Sequence, residues 1–81
     1  MTASAAAPAR SFSVHGAEEV HSRSFKVDGA SHLDAALQFV AERHPAADLF
    51  GEAAVMVEDC QTGERQCFRI DLGSGAAAPC G

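Results

Sequence analysis

Eighty-one residues with a formal charge of −5, from six Lys and Arg against eleven Asp and Glu, make one small domain and argue against two classes of partner. The basic residues are dispersed, so there is no phosphate-neutralising stripe for nucleic acid, and an anionic membrane surface repels such a chain. No apolar run is long enough to span a bilayer, the N-terminus lacks the charged region and Leu-rich core of a signal peptide, and the odd cysteine count does not suit a disulfide-stapled scaffold; the expected location is the cytoplasm.

Residues 1–10 are mostly Ala, Ser and Pro, and residues 73–81 read Gly-Ser-Gly-Ala-Ala-Ala-Pro-Cys-Gly. Neither segment has a large apolar side chain to bury, so both are expected to be disordered tails around a single domain of residues 11–72. Phe12 and Val14 alternate with Ser13 and His15 before Gly16, and Phe25 and Val27 alternate with Ser24 and Lys26 before Asp28-Gly29. Both read as short strands. Residues 17–22 between them suit either a wide loop or an early start of the second strand.

Ser31 followed by Asp34 reads as a helix N-cap with an acidic residue three positions on. Leu33, Ala36, Leu37, Val40, Ala41 and His44 then share one helical stripe, which is taken as the buried face. Pro45 ends the helix. On this reading Phe39 lies off the stripe, where it covers a sheet edge or joins a contact surface, while Leu49 and Phe50 are counted in the core.

The strongest pattern runs from Ala53 to Leu72, where two alternating segments flank Gln61-Thr62-Gly63-Glu64 and read as a β-hairpin. Setting Cys60 opposite Arg65 places Val57 against Phe68, Val55 against Ile70 and Ala53 against Leu72. Met56, Glu58, Cys60, Arg65, Cys67 and Arg69 then share the other face. The element order is β-β-α-β-β, which predicts an α+β fold of two layers. Its parts are a four-stranded antiparallel sheet of order 2-1-3-4 and one helix on one face.

No group of residues rises to an enzyme. Ser31-His32-Leu33-Asp34 carries the letters of a catalytic triad, but neighbours at a helix start point in different directions. Glu58 and Asp59 fall on opposite faces of one strand, and Glu58 with Arg69 reads as a cross-strand ion pair. Cys60 and Cys67, with Cys80 and His15, His21, His32 and His44, allow a metal site on paper, yet their spacing lacks the tight knuckles of structural zinc. Neither metal nor cofactor is expected, and Cys60 with Cys67 is the candidate redox pair.

The phrases Asp34-Ala-Ala-Leu-Gln-Phe-Val40, Val57-Glu-Asp-Cys-Gln-Thr-Gly-Glu64 and Cys67-Phe-Arg-Ile-Asp-Leu72 resemble a family of small uncharacterised bacterial proteins, a domain of unknown function. The resemblance implies no activity and no site residues. The expected function is a small non-catalytic protein-interaction module that binds an unknown protein partner or itself, as a homodimer. Its contact surface is expected at Met56, Glu58 and Arg69 on the open side of the sheet, with Phe39 of the helix as a further candidate. The alternative is a thiol- or metal-dependent regulator using Cys60 and Cys67.

Overall fold

The computed structural model describes residues 10–17 and 24–80; residues 1–9, most of the first tail, and His21 lie outside the described residues. Alternation of apolar and polar side chains forms β1 (Arg10–Gly16), β2 (Phe25–Gly29), β3 (Glu52–Asp59) and β4 (Arg65–Asp71), and residues 77–79 add β5 (Ala77–Pro79). Helix α1 (His32–Arg43), the one helix among the described residues, lies between β2 and β3. The sheet is antiparallel throughout, with strand order β2-β1-β3-β4-β5. The expected four-stranded sheet is therefore five-stranded, and the α+β class stands. Since β2 and β3 both run antiparallel to the strand between them, α1 is the crossover of a split β-α-β unit.

The helix starts where the sequence places it: Ser31 Oγ accepts the Asp34 N–H at 3.1 Å. Asp34 reaches back to accept the Ala30 N–H at 2.9 Å and also accepts from Gln38 Nε2 at 3.0 Å. His44 closes the other end in the left-handed region (φ 49°), donating its N–H to the Val40 carbonyl. The buried face is not the expected one. His32, Ala35, Ala36 and Phe39 point inward, whereas Leu33 and Leu37 are exposed. The two alanines let the helix axis sit close to the sheet, and Phe39, only 5% exposed, then reaches Phe25 with ring centroids 5.8 Å apart. Arg43 places its guanidinium over the ring of Phe25, 3.9 Å from the centroid. Sheet residues Phe12, Val14, Val27, Val55, Val57, Phe68 and Ile70 complete the core.

Close approach makes Gly29 critical. A Cβ there would lie 2.9 Å from Asp34 Oδ2, which its two hydrogen bonds hold in place, and 3.2 Å from the Ala35 backbone nitrogen. Gly29→Ala is expected to lower stability by about 1–3 kcal/mol through overpacking. A urea midpoint unchanged from the parent would show that the helix is free to back away.

The hairpin keeps its predicted faces in a different register. Glu58 pairs with Arg65, Val55 with Phe68 and Ala53 with Ile70, two residues away from the expected alignment. A two-residue slip leaves every side chain on its original face. The turn decides it: Asp59 Oδ1 accepts the N–H of Gln61 (2.8 Å) and of Thr62 (3.3 Å), and the Gly63 N–H donates to the Asp59 carbonyl at 2.8 Å. This winds residues 60–64 into a wide loop with Gly63 at positive φ.

Residues 73–80, expected as a disordered tail, turn back and lay β5 along β4. They contribute no large side chain to the core. Backbone bonds hold them, together with a disulfide between Cys67 and Cys80.

Candidate interaction surface

After Pro45 the chain passes through residues 46–51 before entering β3, and one carboxylate organises that passage. Asp48 Oδ1 accepts the N–H of Phe50 (2.8 Å) and of Glu52 (3.0 Å), and Oδ2 accepts from Arg69 Nη1 (3.3 Å). The Asp48 N–H donates to the Glu52 carbonyl at 2.7 Å, and Gly51, at φ 79°, donates to the Asp48 carbonyl. The N–H donors of Glu52 and Phe50 hold the Asp48 carboxyl below the usual range, with the Arg69 charge adding to them and partial burial opposing. The loop is therefore a built turn, and at its tip Leu49 is 98% and Phe50 82% exposed. Both were expected in the core, because their size is visible in a sequence and their direction is not.

Beside this tip lies a cavity of about 200 Å³, lined by Gly16, residues 45–48 and residues 52–54. Its lining is mostly Ala and Pro, with Asp48 and Glu52 supplying carboxylates. A projecting apolar pair and a small-residue depression thus share one patch, with Asp48 common to both.

The four expected surface residues separate. Met56, Glu58 and Arg69 do lie together on the side of the sheet away from α1, each partly exposed. Phe39 does not, since it is buried between helix and sheet. Glu58 pairs with Arg65 at 3.3 Å, not with Arg69, which instead bridges to Asp48 and to Glu52 (3.7 Å). The two-residue register shift causes this exchange of partners.

The expected redox pair is also rearranged. Cys60 sits exposed and free in the hairpin loop, while Cys67, opposite Met56 on β3, is bonded on its other side to Cys80. The Cα atoms of Cys67 and Cys80 are 5.3 Å apart, within the ordinary range for a disulfide. Among the described residues no three His, Cys, Asp or Glu side chains come together as metal ligands.

One buried polar cluster lies at the opposite end of the core. Asp59, 1% exposed, accepts from Arg10 Nη1 at 3.2 Å as well as from its own turn. His32 packs on Phe12, with centroids 4.9 Å apart, and its Nε2 lies 3.0 Å from the Glu64 carbonyl. The cluster ties the start of β1, the start of α1 and the β3–β4 loop together. Every buried side-chain polar atom among the described residues has a partner, so its role is to close the core.

Residues 10–81 match the model of DUF5961, a family of unknown function, and the chain belongs to that family. No curated protein matches it. No solved structure matches it either. Among the described residues no helix is long and apolar enough to cross a membrane.

Proposed function

We propose that this protein is a small non-catalytic interaction module that associates with a second copy of itself through the Leu49–Phe50 tip. The observation that supports this most directly is the exposure of two adjacent large apolar side chains on a loop whose backbone is already pinned by Asp48. Scattered exposed apolar residues are ordinary, but an adjacent pair on a backbone already held in place binds without the cost of ordering a loop. The adjoining cavity of about 200 Å³ favours self-association. A two-fold axis requires one patch to hold both a projection and its receptacle, and here both meet at Asp48. Met56 and the mixed charges of Glu58 and Arg69 form the neighbouring sheet surface.

The test is sedimentation equilibrium of the oxidised protein and of the Leu49→Ser/Phe50→Ser variant. Burying each side chain is worth about 1.5–3 kcal/mol, so losing both should weaken association by about 100-fold or more. The fold should persist, because neither residue contributes to the core. A parent protein that stays monomeric at high concentration, or a variant that associates as tightly as the parent, would refute this reading. A thiol-dependent reading belongs to Cys67 and Cys80 in place of Cys60 and Cys67, since those are the thiols the fold brings together.

A further inference from the structure

We infer that β5 is a thiol-released strap over the edge of β4, and that the edge it uncovers pairs with the same edge of a second copy. This contact is separate from the Leu49–Phe50 patch and stands whether or not that patch associates.

The strap is thinly held. All three residues of β5 are exposed, and none belongs to the core cluster. Apart from the disulfide, its hold is the three-residue ladder and the turn before it. Along the ladder the Asp71 N–H donates to the Ala76 carbonyl (2.8 Å) and the Cys80 N–H to the Cys67 carbonyl (3.0 Å). In the turn Asp71 Oδ1 accepts the N–H of Gly73 (2.8 Å) and of Ser74 (3.2 Å), and the Asp71 carbonyl accepts that of Gly75 (2.7 Å). An isolated short strand without buried side chains does not offset the entropy of ordering it. The Cys67–Cys80 bond joins residues directly opposite each other and supplies the missing constraint. A small dithiol can remove it. One thiolate of the reductant attacks a sulfur of the disulfide and expels the other as thiolate; the second thiol then resolves the mixed disulfide. Two electrons and two protons pass to the protein, which ends with Cys67 and Cys80 as thiols, and the reductant ends as a cyclic disulfide.

With β5 gone, β4 presents the backbone of Cys67, Arg69 and Asp71 as an open edge, which readily accepts another strand. The charges on that strand select its partner and its register. Pairing Cys67 with Cys67 of a second copy sets Arg65 against Arg69, and pairing Arg69 with Arg69 opposes like charges at the axis. The register centred on Phe68 sets Arg65 against Asp71 twice over, and uses the whole of Arg65–Asp71. It also brings Phe68 of the second copy to where Pro79 now lies opposite Phe68. β4 is thus self-complementary about its own midpoint, as a two-fold contact requires.

The experiment uses the full chain carrying Leu49→Ser/Phe50→Ser, so that the first patch is silent, with dithiothreitol as the reductant. Complete reduction should raise amide exchange at Cys80, whose N–H bonds to the Cys67 carbonyl in the strap and has no place in the dimer ladder, at least tenfold and convert a monomer to a dimer in native mass spectrometry. Adding Cys67→Ser/Cys80→Ser should give the dimer without reductant. Arg65→Asp in that background should return it to monomer, and Arg65→Asp/Asp71→Arg should restore the dimer. Unchanged Cys80 protection after full reduction would overturn the strap. A reduced protein that stays monomeric, or a dimer indifferent to Arg65→Asp, would overturn the edge contact.

Discussion

Phe39→Ala is expected to cost about 3–5 kcal/mol, the range for removing a buried aromatic ring. At about 0.05–0.15 kcal/mol per residue, the whole domain commands roughly 3–10 kcal/mol, so this one change should leave much of the chain unfolded at 25 °C. The ring is 5% exposed and holds Phe25 in place beneath Arg43. Leu37→Ala, on the same helix, should cost under about 1 kcal/mol, because Leu37 is already exposed. Urea denaturation followed by circular dichroism compares the two directly. If Leu37→Ala proved the more damaging, the helix would be seated on its leucine face and the packing described above would be wrong.

Asp59→Asn should be the most damaging of the isosteric polar changes, and its effect should depend on pH. The carboxylate accepts from Gln61, Thr62 and Arg10 at once. An amide of the same shape must turn donor hydrogens toward at least one of those donors. The Gln61 N–H is the main influence holding the Asp59 carboxyl below its ordinary range; burial opposes it, and Thr62, Arg10 and His32 reinforce it. A carboxyl whose folded pKa is depressed stabilises fully above its unfolded pKa, and that contribution disappears as pH falls through the folded value. The parent should therefore hold its urea midpoint above about pH 5 and lose it progressively below about pH 4. Asp59→Asn should start lower at neutral pH and converge on the parent in acid. Parallel curves for the parent and Asp59→Asn would mean that the charge of Asp59 is not what the fold uses.

Strand positions, the helix with its Ser31 cap and the two faces of the hairpin were legible because each depends on local pattern: alternation, a capping side chain, a proline stop. What escaped depends on distance and direction. Leu33-Leu37-Val40 and His32-Ala35-Ala36-Phe39 both recur at helical spacing, and hydropathy favours the leucines. The sheet instead selects the side with two alanines, since only that side lets the helix approach Gly29 closely. The hairpin register escaped because a slip of two conserves the apolar face; the Asp59 turn that settles it involves side-chain bonds rather than hydropathy. Residues 77–79 carry no strand signal, and their place becomes visible only once Cys80 is known to reach Cys67. For the surface, Met56, Glu58 and Arg69 were readable from strand parity. Leu49 and Phe50 were not, although Asp48 followed two residues later by Phe50 and three later by Gly51 is a turn signal that could have turned them outward.

For the self-association proposed above, the Asp48 loop has a kinetic consequence. Its backbone is set by bonds internal to the free protein, so an encounter has no loop to fold and only two side chains to immobilise. In that proposed dimer the roles of neighbouring residues divide between the two directions of the association reaction. Asp48 governs the fraction of molecules presenting a competent tip, and hence how quickly productive encounters occur. Leu49 and Phe50 govern how long each encounter lasts.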